Sequence, residues 1–148
     1  MFFSTEPRIG KSWMDLKKVA PLNKHSYNPG GGTALLDAVG TTIRDAGIRF
    51  AKMPFVNQPK KVIMAIITDG EENSSHEYTY ARVSEMIGHQ RAKYGWEFIF
   101  QGANIDSFKV GASLNIPAHN TSNFVADSFG VSNAYGNVGA TIRSFRTK

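Results

Sequence analysis

The stretch Val62-Ile-Met-Ala-Ile-Ile67, running directly into Thr68-Asp69-Gly70, constrains this chain more than any other. Six apolar residues without a polar break do not suit a strand with one face in water. They predict a strand buried on both faces, as in a parallel sheet covered by helices. A glycine immediately after the acid lets the chain turn sharply there.

The segments around this strand alternate in kind. Leu36, Val39, Ile43 and Phe50 fall on one side of a 3.6-residue period and predict a helix from about Thr33 to Met53-Pro54. Val83, Met86 and Ile87 form the inner face of a second helix, with Ser74 and Glu77 at capping-box spacing before it. "WEFIFQG" (96–102) reads as the next strand and "DSFKVGASLNI" (106–116) as a short helix ending before Pro117. A loop rich in Asn, Ser and Thr follows. Residues 131–146 are weakly helical, with Gly136 and Gly139 working against the helix. "MFFS" and "RIGKSW", split by Thr5-Glu6-Pro7, suggest an edge hairpin, and "LKKVAPLNKHSYNPGGG" (16–32) a connection. Strand alternating with helix predicts an α/β fold: a doubly wound, mainly parallel central sheet with helices on both faces, in one domain spanning 1–148.

Composition narrows the class. Across 148 residues there is no cysteine, which excludes disulfides and thiolate metal sites and agrees with a reducing, cytoplasmic setting. No apolar run approaches the roughly 18 residues of a membrane span, and Met1-Phe2-Phe3 passing at once into Ser-Thr-Glu-Pro does not read as a signal peptide. The net charge of +5 is uneven: residues 1–61 carry 10 Lys/Arg against 4 Asp/Glu, and residues 62–148 carry 7 against 8. A basic half can touch nucleic acid, but only Lys17-Lys18 and Lys60-Lys61 are adjacent cations, which favours a solvated surface.

In doubly wound sheets, ligands gather at the carboxyl edge, where Asp69 is expected. "NPGGGTALLDAVG" (28–40) adds a glycine-rich loop that can approach a ligand closely and a hydroxyl, Thr33, at a helix start. A hydroxyl and a carboxylate together suit a hard cation, Mg²⁺ or Mn²⁺. On local sequence alone, Thr33 is equally a helix N-cap and Asp69 a turn former. The loop lacks the Lys-Ser/Thr ending of a phosphate loop, and "RIGKSW" has Thr5 where such a loop needs its first glycine. Glu71 and Glu72 either tune a metal, meet a basic partner, or sit at a helix start for its dipole, and Asp37 is another dipole-favoured acid. His25, His76, His89 and His119 show no metal-ligand spacing, and no nucleophile can be placed.

The two stretches together resemble the von Willebrand factor type A family, in its small bacterial and phage form. "PGGGTALLDAVG" looks like the family's threonine loop and "VIMAIITDGEENSS" like its strand ending in the metal-site aspartate. The likeness extends through "EYTYARVSEMIGHQRAKYGWEFIFQGANIDSFKVGASLNI", and is clearest from Tyr27 to Ile116. It implies a non-enzymatic protein–protein interaction module with a metal-ion-dependent adhesion site, Mg²⁺ or Mn²⁺ at the top of the sheet, and an acidic residue of a partner protein completing the coordination. Thr33 would be a direct ligand, and Asp69 a ligand directly or through water.

The family's third element, Asp-x-Ser-x-Ser after a central first strand, occurs nowhere in this sequence. The chain resembles the family from its second strand onward. The departure predicts feeble metal affinity and an unpaired edge along Val62–Ile67, so that the hairpin repacks into the gap, another chain supplies a strand, or the fold is marginally stable. Two rival readings are a metal-assisted hydrolase using Asp69 and Glu71, and weak nucleic-acid binding through residues 1–61.

Overall fold

The computed structural model describes residues 1–8, 13–20 and 31–147. Its elements run β1 (Phe2–Phe3), β2 (Pro7–Arg8), α1 (Leu35–Ala51), β3 (Ile63–Thr68), α2 (Tyr80–Tyr94), β4 (Glu97–Gly102), α3 (Ser107–Ser113), β5 (Thr121–Asn123) and α4 (Ser128–Thr147). Strands β3, β4 and β5 form a parallel sheet in that order, with Ile63 level with Glu97 and Phe100 level with Thr121. The expected α/β architecture is present, with a small sheet. Strand β5 lies inside the polar loop. Its Thr-Ser-Asn sequence carries no hydrophobic signal, and its place comes from the ladder to β4.

Helices cover both faces. Leu35, Leu36, Val39, Ile43 and Ala46 of α1 and Val83 and Ile87 of α2 pack on Ile66, Phe98 and Phe100, with Leu114 and Ile116 closing the same core. Phe50 meets the Trp96 and Trp13 rings edge-on, at centroid distances of 5.9 and 5.6 Å. On the opposite face, Thr141, Ser144 and Phe145 of α4 stand over Ile63 and Ile99 around a cavity of about 190 Å³. Helix α4 runs unbroken through Gly136 and Gly139 and turns Gly130, Ala134 and Val138 inward.

Three local expectations are corrected. Helix α2 starts at Tyr80, not after Ser74. Its N-cap is Thr79, whose hydroxyl accepts from the Arg82 N–H at 3.3 Å. Residues 74 and 77 belong to a loop committed to α1 instead. Strand β3 is not buried on both faces: Ile66 and Thr68 are buried, Ile63, Met64 and Ile67 half-buried, and Ala65 exposed. The reason is position, because β3 ends the sheet and has a strand neighbour on one side only among the described residues.

The hairpin forms as antiparallel β1–β2, with Phe2 opposite Arg8, but as a separate two-stranded sheet. The rest of "RIGKSW" up to Ser12, and residues 21–30 of the connection, lie outside the described residues. The hairpin turn is tied instead to the segment before α1: Ala34 N–H donates to Ser4 O at 2.6 Å and Gly32 N–H to the Thr5 hydroxyl at 2.9 Å. No helix among the described residues is long and apolar enough to cross a membrane.

Phe98 is wholly buried at the centre of the core. Phe98→Ala is expected to cost about 3–5 kcal/mol, a large share of a small domain's stability, read by urea denaturation.

Candidate functional site

Strand β3 delivers Thr68, Asp69 and Gly70 at its carboxyl end. Thr68 is buried, and its hydroxyl donates to Gly70 O at 3.1 Å, folding the chain back just past the strand. The Asp69 side chain is exposed, while its carbonyl accepts from Asn104 Nδ2 at 3.4 Å. Asn104 sits in left-handed backbone (φ 58°) in the loop after β4, so adjacent strand ends are tied together.

Thr33 arrives at the same place. A Cβ on Gly70 would stand 3.1 Å from Thr33 Oγ1, which puts the threonine hydroxyl against the turn that carries Asp69. A Cβ on Gly32 would run into the side chains of Ser74 and Asn73, so this approach needs glycine at 32. The contact is held by main-chain bonds: Thr33 N–H donates to Asn73 Oδ1 at 2.8 Å, and Thr33 O accepts from the N–H groups of Asn73 and Ser74 at 3.0 and 3.2 Å. Thr33 is not the N-cap of α1. That position is Ala34, which has no capping side chain. Among the described residues, the Thr33 hydroxyl has no hydrogen-bond partner.

The cap comes from across the chain. Glu72 Oε2 accepts from Leu36 N–H at 2.9 Å, and the Ser75 hydroxyl accepts from Asp37 N–H at 3.0 Å while donating to Glu72 Oε2 at 2.8 Å. Glu72 Oε1 takes the N–H groups of Ser74 and Ser75 at 2.9 and 2.8 Å. In return Asp37, buried in the first turn of α1, accepts the N–H groups of His76, Glu77 and Tyr78 at 2.8–2.9 Å. Burial works to raise the Asp37 pKa. The three backbone donors, with His76 nearby, outweigh it and hold the pKa below the ordinary carboxylate value. Next to this loop the Tyr80 phenol is pushed up, first by burial and then by the charges of Glu72 and Glu71.

These bonds decide which oxygens are free. Asp37 and Glu72 are occupied by seven donors between them and are structural. Asp69 and Glu71 are exposed. His76, His89 and His119 are exposed, and His25 lies outside the described residues. No three His, Asp or Glu side chains converge to hold a metal among the described residues. Two oxygens, from Thr33 and Asp69, fall well short of the six that Mg²⁺ takes, so the residues fit a partial site only. The cavity of about 420 Å³ beside α1 is lined by Asp45, Ile48, Arg49, Lys52 and Met53 and takes in neither Asp69 nor Glu71. The roles of Asp37 and Glu72 in joining the loop to α1 were not legible in the sequence, because the bonds that join them span 36 to 41 residues.

No family model, curated protein or solved structure matches this chain.

Asp37→Ala should destabilise the fold by about 2–3 kcal/mol, since three part-buried N–H groups lose a charged acceptor, whereas Glu71→Ala should change stability by less than about 0.5 kcal/mol. The sign with pH follows from the depressed pKa. The Asp37 contribution is present above the unfolded value of about 3.9 and is lost as pH falls through the folded value. Denaturation curves at pH 7 and pH 3 should therefore show the gap between wild type and Asp37→Asn narrowing in acid.

Proposed function

We propose that the chain is a protein-interaction module of von Willebrand factor A type, built around an incomplete metal-ion-dependent adhesion site at the carboxyl edge of the sheet. The observation that carries this reading is the approach of Thr33 Oγ1 to the Gly70 turn. It brings a hydroxyl from the glycine-rich loop, with no hydrogen-bond partner among the described residues, against the turn that follows Asp69, over a sequence separation of more than thirty residues. Both groups are hard oxygen donors at the sheet edge where ligands of open α/β folds collect.

With two protein ligands, Mg²⁺ or Mn²⁺ would be held weakly. Water and an acidic side chain of a partner protein would fill the remaining positions, and a further chain could add the ligands that are missing. The same arrangement argues against hydrolysis by Asp69 and Glu71. Both acids are exposed, and neither lines a described cavity in which a base could be positioned against a substrate. Nucleic-acid binding gains no support either, since the exposed Lys17, Lys18, Lys60 and Lys61 are two separate pairs rather than a basic run.

Ligand linkage supplies the test. At 10 mM Mn²⁺ and a dissociation constant of about 1 mM, the native state gains roughly 1.4 kcal/mol, a rise of a few degrees in melting temperature. Thr33→Ala and Asp69→Ala should each abolish the rise while melting near the wild type in EDTA. A wild-type curve unmoved by 10 mM Mg²⁺ or Mn²⁺ would remove metal from this reading.

A further inference from the structure

The free edge of β3 is a specific template. Glu97 N–H donates to Val62 O at 2.9 Å and Ala103 N–H to Thr68 O at 2.9 Å, so the even-numbered residues of β3 turn their main-chain groups toward β4. Strand alternation then aims the N–H and C=O of Ile63, Ala65 and Ile67 at the opposite edge, where no described strand pairs with them. Natural edges are usually blunted by lysine, proline or a bulge. Ile63–Thr68 has no charge and no proline, and its middle residue, Ala65, is small and exposed. The edge is also polarised: Lys60 and Lys61 are exposed at its amino end, Lys61 Nζ donating to Phe145 O at 2.7 Å, and Asp69 and Glu71 are exposed at its carboxyl end.

An edge with cations at one end and anions at the other is complementary to itself when reversed. We propose that two copies of this chain associate through β3, pairing antiparallel about a twofold axis at Ala65 and making one six-stranded sheet.

The register follows from the outward-facing groups. A hydrogen-bonded antiparallel pair joins residues that both point outward, so Ala65 meets Ala65 of the second copy, Ile63 meets Ile67, and Lys61 meets Asp69. The axis then falls on the smallest side chain of the strand. The half-buried Ile63 and Ile67 become cross-strand neighbours, and an ion pair closes each end. The exposed ion pairs orient the strands, while the main-chain bonds and the isoleucine pairs supply most of the affinity. Asp69 serves both the metal reading and this ion pair, so the interface is tested without metal.

The absence of cysteine makes the test direct. In the full chain with EDTA present, Ala65→Cys should form a disulfide-linked dimer under mild oxidation. Opposed residues of a hydrogen-bonded pair have Cα atoms about 5.5 Å apart, within disulfide reach. Ile67→Cys should not crosslink to itself, because the two copies of residue 67 would be displaced by four positions, roughly 14 Å. Ala65→Pro removes an N–H that faces away from β4, so the variant should keep its fold by circular dichroism. Its dimer dissociation constant in sedimentation equilibrium should rise at least about tenfold. A wild-type chain that stays monomeric at the highest soluble concentration, crosslinking equal at 65 and 67, or a dimer indifferent to Ala65→Pro would each overturn the proposal. A monomer that binds only an unrelated extended peptide at this edge would overturn it too. Because every arm is run without metal, failure here leaves the metal reading standing, and the reverse holds as well.

Discussion

Two carboxylates, Asp37 and Glu72, hold the working end of this protein together, each accepting bonds from the segment that carries the other. Glu72 accepts from the Leu36 N–H at the start of α1, which has no capping side chain of its own. Asp37, inside that helix, collects three N–H groups of the loop that follows Glu72. Both are acceptor-only groups in partly or fully buried places, where leaving the opposing donors unpaired would be costly. The exchange fastens the loop after β3 to the start of α1. The approach of Thr33 to the Gly70 turn depends on that attachment.

The same attachment explains why a chain with so many acids near the sheet edge has so few to offer a ligand. Asp37, Asp69, Glu71 and Glu72 lie in or near one loop, and a sequence reading counts all four as candidates. Hydrogen bonding sorts them into two structural and two exposed. Of the exposed pair, only Asp69 sits on the turn that Thr33 approaches. The loop is built mainly to hold its own shape, and its chemistry is confined to the edge.

Strand β3 carries the main unresolved demand of the fold. Its composition is that of an interior strand, yet among the described residues it ends the sheet, and the β1–β2 hairpin is anchored to the Gly32–Ala34 segment without pairing beside it. Half-buried isoleucines and an exposed alanine along one edge are the physical sign of that mismatch. The apolar run was correctly legible as a strand of a parallel sheet. Its burial was not, because burial depends on what stands beside the strand.

By itself the sequence determined the alternation of strand and helix and the inner faces of α1 and α2, because periodicity is a local property. Thr33 as an N-cap and Ser74 as the start of α2 read equally well locally. Both gave way to bonds reaching some forty residues along the chain. Only the tertiary structure decided that Asp37 and Glu72 are structural, that Thr121–Asn123 is a strand, and that β3 has an open side. Each depends on which distant groups come within hydrogen-bond reach, and spacing along a chain does not encode that.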